Sequence, residues 1–365
     1  MGRGAPTVRR RPRATRHARP AKRLRNGHHE RVARQQKSSP SMGAVAAAAG
    51  VSKSTVSHVV NKTRPVAPET EQAVLTAMAR LGYVGPGHTG SDPDAMTIGI
   101  AMSAMTNPYF GTVVQAMDRR ATLDGYSLVL ADPHDDPTNE VRAMTDLLRR
   151  GVSGVILAPS ADPSAALAYA RHNAVPVVLI DRLMPLGLDQ VGSENVEATA
   201  ALVAHLADHG HRRLCFVSPR AGLTTTQERW DGFRLGLHRL GDLPEAPVLD
   251  GLDSDRLAAQ LRAALDGPDA PTAVVSGNNQ ATIELMKACR RLGLSIPDDL
   301  AVAVFDDFEW ADIFHPRLTA MAQGTSAIGA QSIELLTRRL GDPQTPARTV
   351  RIEATLVVRD SCGCH

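Results

Sequence analysis

The alternation of short apolar runs with longer helical segments constrains the fold of this chain most strongly. From residue 97 onward, eight apolar runs of five to seven residues are predicted strands: 97–102, 126–131, 154–159, 175–181, 213–218, 273–277, 300–306 and 355–359. Predicted helices lie between them, for example at 110–123, 138–150, 196–209, 227–240, 280–292 and 326–340. This alternation is typical of parallel α/β sheets. The stretch of about 270 residues is long enough for two α/β lobes.

The composition excludes several classes of protein. No run of about 18 apolar residues occurs, so no transmembrane helix is predicted. The first 40 residues are basic and polar throughout, which does not match a secretory leader. Four cysteines in 365 residues do not make a disulfide framework. We therefore expect a cytoplasmic protein from a reducing compartment, without membrane partners.

The charge of the chain is divided unevenly. Residues 1–40 carry thirteen Lys or Arg and one acidic residue, a net charge of +12, whereas the remainder carries 28 basic and 37 acidic residues, a net charge of −9. A segment with so few apolar residues is predicted to be disordered. It is interpreted as an arm that binds phosphates. A transit peptide, a dispensable tail and a start codon assigned too far upstream remain alternatives.

Residues 41–83 have the pattern of three short helices. The first is predicted at 42–49 and is rich in alanine, which favours a helix, and Gly50 ends it. Ser52 is a good N-cap for the second helix, predicted at 53–60. The third begins at Pro68, buries one apolar stripe and ends at Gly82.

The second of these helices separates apolar from polar residues. Val56, Val59 and Val60 share one side, and the other side carries only short polar or basic residues, without a carboxylate: Lys53, Ser54, Ser57, His58 and Asn61. Two short helices around a Gly-containing turn suit a helix-turn-helix that reads the major groove. On spacing alone, a generic three-helix bundle remains possible.

The run GVSKSTVS, followed by VN, V-x-PET and LGY, closely resembles the DNA-binding headpiece of the lactose-repressor/galactose-repressor family of bacterial transcription factors. This resemblance implies base-reading roles for Lys53, Ser54 and His58. It implies phosphate contacts or capping roles for Ser52, Thr55, Ser57 and Asn61. Base contacts specify a sequence, whereas phosphate contacts change affinity for all sequences.

The chain also departs from the family pattern. His58 stands where arginine is usual, and Ala67 stands where a serine usually caps the third helix. Residues 84–96 contain three glycines and two prolines, so the usual hinge helix is not expected. We predict a flexible linker there.

The resemblance extends through the α/β region, as the segments NPYF (107–110), LIDR (179–182), RWDGF (229–233) and LGLSIPDDLAVAVFDD (292–307) show. It implies a two-lobed domain similar to periplasmic sugar-binding proteins, with three crossing strands and the ligand between the lobes. The implied ligand contacts are Asp181, Arg229, Asn278 and Asp306, with Tyr109 and Phe110 for stacking on a sugar ring and Phe308 as a weaker candidate. Helix capping by the two aspartates, or a surface salt bridge of Arg229, are the alternatives.

No phosphate-binding loop, dinucleotide fingerprint, zinc-protease motif or serine-hydrolase motif occurs, so no enzyme is predicted. Two cysteines and one histidine at the C-terminus make an incomplete metal site, so neither metal nor cofactor is expected. Cys215 and Cys289 are expected to be buried and inert.

The predicted organisation has four parts: a basic tail (1–40), a helix-turn-helix headpiece (41–83), a linker (84–96) and a two-lobed effector-binding and dimerisation domain (97–365). The predicted function is a regulator, most often a repressor, of the cytoplasm and nucleoid, a homodimer on operator DNA that a sugar-like effector controls. A sugar-binding transport component and a sugar-active enzyme are the alternatives.

Overall fold

Three helices form the headpiece, residues 41–83. They are α1 (Met42–Ala49), α2 (Lys53–Asn61) and α3 (Pro68–Leu81). The computed structural model describes residues 41–61, 63–83, 97–103, 107–241, 246–313 and 315–363, so the predicted tail and linker lie outside the described residues. Gly50 and Gly82 end α1 and α3 in the left-handed conformation, at φ 67° and 65°. These helix ends agree with those predicted from the sequence.

The rest of the described chain alternates strands with helices. The helices are α4 (Pro108–Leu123), α5 (Pro137–Arg149), α6 (Ser164–His172), α7 (Val196–Asp208), α8 (Thr224–Arg239), α9 (Ser254–Leu265), α10 (Asn279–Leu292) and α11 (Thr325–Gly341). The strands are β1 (Thr97–Ala101), β2 (Ser127–Ala131), β3 (Gly154–Leu157), β4 (Val177–Ile180), β5 (Asp189–Ser193), β6 (Leu214–Ser218), β7 (Val248–Asp250), β8 (Ala273–Ser276), β9 (Ala301–Phe305), β10 (Thr319–Ala322), β11 (Thr349–Ile352) and β12 (Thr355–Val357).

The strands form two six-stranded sheets, one in each lobe. The N-terminal lobe has the order β11-β5-β4-β3-β1-β2, and the C-terminal lobe has the order β12-β10-β9-β8-β6-β7. Every strand pair is parallel except β10 with β12. Parallel strands need helical crossovers, so helices cover both faces of each sheet. The predicted fold class, a headpiece plus two parallel α/β lobes, is confirmed.

The chain passes between the lobes three times among the described residues. The crossings follow β5, β10 and β11, and they lead into α7, α11 and β12. Ligands of parallel sheets bind beyond the carboxyl ends of the strands. The cleft between the lobes is therefore the place to look for a site. No helix within the described residues is long and apolar enough to cross a membrane.

Candidate functional sites

Helix α2 presents the polar face that the sequence predicted. Lys53, Ser54 and Asn61 are exposed, whereas the three valines of the opposite side are buried in the headpiece core. Thr55, Ser57 and His58 are half-buried at the margin of this face. The helix has no acidic residue in its first turn, so no carboxylate there would repel phosphate.

Hydrogen bonds between residues close in the sequence order the side chains of this face. The Ser52 hydroxyl accepts from the Thr55 backbone N–H at 3.1 Å, which is the N-cap predicted for α2. Asn61 donates from Nδ2 to the Ser57 hydroxyl at 3.1 Å. The His58 Nδ1 lies 2.9 Å from the Thr63 hydroxyl, which orients the imidazole. The helix therefore carries a preorganised polar surface of a size that fits a major groove about 12 Å wide.

The cleft brings together four of the predicted ligand residues. Tyr109, Asp181, Arg229 and Asp306 are each at most 7% exposed. They come from both lobes, since Asp181 follows β4 and Asp306 follows β9. Burial raises the pKa of Asp181, and Arg182 and Arg229 offset part of that rise. The pKa of the Tyr109 hydroxyl lies well above its usual value, mainly because of burial and next because of the Asp181 carboxylate.

Arg229 is held in a fixed position inside this cluster. Its Nε donates to Asn195 Oδ1 at 2.9 Å, and its Nη1 donates to the Gly277 carbonyl oxygen at 2.8 Å. The guanidinium carbon lies 3.9 Å from the centre of the Phe305 ring. The remaining nitrogen, Nη2, is 3.8 Å from Asp306 Oδ1. The alternative of a surface salt bridge is therefore wrong, because the side chain is buried.

Both cleft aspartates have unusual backbone geometry. Asp181 has φ 68° and Asp306 has φ 77°, in the left-handed region that residues other than glycine rarely adopt. Such strain of about 1–3 kcal/mol is typical of functional sites. Asp306 accepts from the backbone N–H of Asn279 at 3.2 Å and from the Gln323 side chain. It therefore binds α10, which precedes it in the chain, and does not cap the helix that follows.

The other predicted cleft residues have different surroundings. Asn278 Oδ1 accepts from Ala281 N at 2.8 Å, so Asn278 is the N-cap of α10. Phe110 packs edge-to-face on Tyr109, with ring centres 4.9 Å apart, within the apolar core of the N-terminal lobe. Phe308 is buried in the core of the C-terminal lobe.

Residues that the sequence analysis did not select join the two lobes across the cleft. Asn279 of α10 donates to Asn107 Oδ1, at the N-terminus of α4, at 2.7 Å. Arg220, which follows β6, lies 3.6 Å from Asp135, which precedes α5. Asp135 also pairs with the buried Arg182 and has a left-handed backbone, φ 54°. The sequence did contain a signal for Arg182. Like the predicted Asp306, it is a polar residue just beyond the end of a strand.

Several buried polar atoms of this cleft have no hydrogen-bond partner among the described residues. Among them are Oδ1 of Asn279, whose amide links the two lobes, and Oε1 of Gln323, whose amide donates to Asp306. Leaving a buried polar atom unpaired costs about 1–3 kcal/mol.

The two free cysteines among the described residues are buried and unreactive. Cys215 and Cys289 are free and buried, as predicted, and burial raises the pKa of each thiol to about 12. Cys362 is disulfide-bonded. The part of the chain that the structure describes holds no cluster of three or more His, Cys, Asp or Glu arranged as metal ligands.

A helix-turn-helix headpiece joined to a two-lobed α/β domain defines a ligand-responsive DNA-binding protein. Comparison with protein families agrees with this class. Residues 41–85 match the family described as bacterial regulatory proteins, lacI family. Residues 203–362 match the periplasmic binding protein-like domain.

Relatives and solved structures extend the match over most of the chain. The HTH-type transcriptional regulator PtxS of Pseudomonas plecoglossicida is 32% identical over 87% of this chain and 94% of its own length. The ribose operon repressor of Escherichia coli K12 is 29% identical over 87% and 98%. The transcriptional regulator CelR in complex with cellobiose superposes with a TM-score of 0.67 at 26% identity, over 88% of this chain and 99% of that one. The Lac repressor dimer bound to operator gives a TM-score of 0.64 at 25% identity, over 88% and 99%.

The chain belongs to the lacI family of bacterial regulatory proteins. It is a DNA-binding transcriptional regulator with an effector-binding domain, and it is not an enzyme.

Proposed function

We propose that the protein is a repressor that binds a roughly palindromic operator as a homodimer, and that a sugar or sugar-like molecule in the cleft controls this binding. Two-fold symmetry of the protein requires two operator half-sites. The Lac repressor relative was solved as a dimer on operator DNA. A protein with this task acts in the cytoplasm, at the nucleoid.

Helix α2 is the proposed reading element. Lys53, Ser54 and His58 would contact base edges, and Ser52, Thr55, Ser57 and Asn61 would contact phosphates or order the helix. The exposed face without carboxylates supports this division, because short polar side chains reach base edges and acidic ones are repelled. The basic tail, residues 1–40, would add affinity that does not depend on sequence.

The cluster of Tyr109, Asp181, Arg229 and Asp306 carries the proposal of a sugar-like effector. Carboxylates and a guanidinium bind vicinal hydroxyls through paired hydrogen bonds. Tyr109 supplies an aromatic ring beside them, which suits the apolar face of a sugar. Asn278 and Phe110 would line the edge of this site. The relative CelR was solved with cellobiose, and another relative is named for the ribose operon.

A thermal-shift screen of the full-length protein tests the effector class. The panel contains pentoses, hexoses, disaccharides and polyols, with nucleobases as a non-sugar set. A ligand present at 100 times its Kd adds about 2.7 kcal/mol of stability, which shifts the melting temperature visibly. We expect a shift with a sugar or polyol.

Two variants locate the binding. Asp306→Asn keeps the shape of the side chain, and Arg229→Ala removes the guanidinium, so both should abolish the shift. Arg239→Ala is the matched control, because Arg239 lies on the same helix but is exposed and paired with Glu197. A shift that survives in both cleft variants, or one that only nucleobases produce, would contradict the proposal.

A further inference from the structure

The headpiece and the N-terminal lobe share one apolar core. Leu75 and Met78 of α3 belong to the same buried cluster as Met144 and Leu148 of α5 and Tyr169 of α6. The described residues of the headpiece and of both lobes belong to a single compact unit. The outer face of α5 and α6, defined by Arg142, Arg149, Tyr169 and His172, is called the docking face below.

Polar contacts fix the headpiece on the docking face. Arg142 Nη2 lies 2.5 Å from Glu71 Oε1 of α3. Arg149 donates to the carbonyl oxygen of Val60, at the end of α2. The buried Tyr169 hydroxyl donates to the carbonyl oxygen of Tyr83 at 2.9 Å. These bonds reach both the reading helix and the last residue of the headpiece.

Gly82 shows how close this approach is. A Cβ atom at this position would overlap the ring of His172, so a larger residue would have to displace that ring. The imidazole therefore lies directly against the backbone at the end of α3. Glycine at residue 82 therefore serves both the left-handed turn and the docking.

Helix α5 connects this face with the cleft. Its N-terminal side carries Asp135, which pairs with Arg182 and Arg220, and the buried Glu140, which accepts from Ser160 N at 2.5 Å. Arg142 lies near the middle of the helix, and Arg149 is its last residue. The helix has 13 residues and spans about 20 Å. One rigid element thus has one end at the cleft and the other beneath the headpiece.

We propose that the docking face is a binding surface for the protein's own headpiece, which holds α2 and α3 in a fixed orientation through side-chain contacts with α5 and α6. We do not expect the family's hinge helix in residues 84–96, so the docking face positions the headpiece instead. This part of the proposal rests on the proposed effector function: a movement of α5 at the cleft would move the headpiece through the docking face.

Nuclear magnetic resonance of the ¹⁵N-labelled full-length protein tests the docking, in the absence of effector and DNA. A docked headpiece tumbles with the lobes, so its amide signals should have the line widths of the lobes. Arg142→Glu places two acidic groups together and should narrow the headpiece signals several-fold. The charge-swapped double variant Arg142→Glu/Glu71→Arg should restore the broad signals.

Two further variants control this experiment. Arg150→Glu makes the same charge change at the exposed C-cap of α5 and should leave the line widths unchanged. Tyr169→Phe removes only the hydroxyl bonded to Tyr83 and should also narrow the headpiece signals. It tests the docking independently if Arg142→Glu does not fold. Narrow headpiece signals in the wild-type protein, or equal narrowing in Arg150→Glu, would overturn the proposal. The effector screen fails or succeeds independently of this result.

Discussion

Glu140 makes the stability of this protein depend on pH in a way that can be calculated. Its side chain is fully buried below the cleft, and burial raises its pKa from 4.5 to about 7. The Ser160 N–H and Arg182 lower the pKa, and Asp135 raises it, but burial is the largest effect. The folded state therefore favours the protonated carboxyl group.

The sign of the effect follows from this shift. The unfolded chain ionises Glu140 near pH 4.5, whereas the folded chain does so near pH 7. The contribution of Glu140 to stability is thus fully present below pH 4.5 and is lost as the pH rises to 7. At about 1.4 kcal/mol per pH unit, the total loss is about 3 kcal/mol, of which about 2.5 kcal/mol falls between pH 5 and pH 8.

Replacement by glutamine removes this dependence. Glu140→Gln keeps an oxygen that accepts from Ser160 N and cannot ionise. We expect the variant to be more stable than the wild type at pH 8 by about 2–3 kcal/mol and similar to it at pH 5. Urea denaturation of the full-length protein at the two pH values measures the difference.

A matched substitution shows whether burial is the cause. Glu69→Gln makes the same change in the first turn of α3, where the side chain is exposed. Its effect on the free energy of unfolding should be the same at pH 5 and pH 8. If Glu140→Gln also shifts stability equally at both pH values, Glu140 is ionised in the folded protein at pH 5 and the reasoning is wrong.

Three other predictions concern the headpiece and the tail. Ala67→Ser supplies the missing side-chain cap of α3 and should add about 1 kcal/mol to the free energy of unfolding in urea denaturation. Ala67→Val adds no capping group and should change stability little, and no gain from serine would refute the capping argument. His58→Ala should change the preference at one base position of a selected operator more than the overall affinity, so a uniform loss across sequences would contradict base reading. Deletion of residues 1–40 should flatten the slope of the logarithm of the association constant for duplex DNA against log salt concentration. An unchanged slope would contradict the hypothesis that the tail binds DNA phosphates.

The headpiece was predicted closely because its signals are local. Ser52 caps α2, and Gly50 and Gly82 end their helices, through bonds to residues at most five positions away. The apolar strands in the middle of each sheet were equally visible, since β3, β4, β8 and β9 are buried on both faces.

Other elements were not predicted because distant partners stabilise them. Strand β5 has the sequence DQVGS, which does not have the pattern of a core strand. The structure buries it between β4 and β11, and Arg338 and Arg339 of α11 neutralise its Asp189 at 2.6 and 2.7 Å. Strands β7, β10 and β11 and helices α6 and α9 also went unpredicted.

For the site, the sequence by itself placed Asp181, Arg229 and Asp306 at strand and helix ends, and the carboxyl ends of parallel strands point to one cleft. The tertiary structure decided what each residue does there. Burial and four contacts fix Arg229, whereas Asn278 is used as a helix cap. The links across the lobes and the docking of the headpiece depend on residues far apart in the chain. Periodicity and capping act over a few residues, so they determine elements, and only the packing of those elements decides which side chains meet.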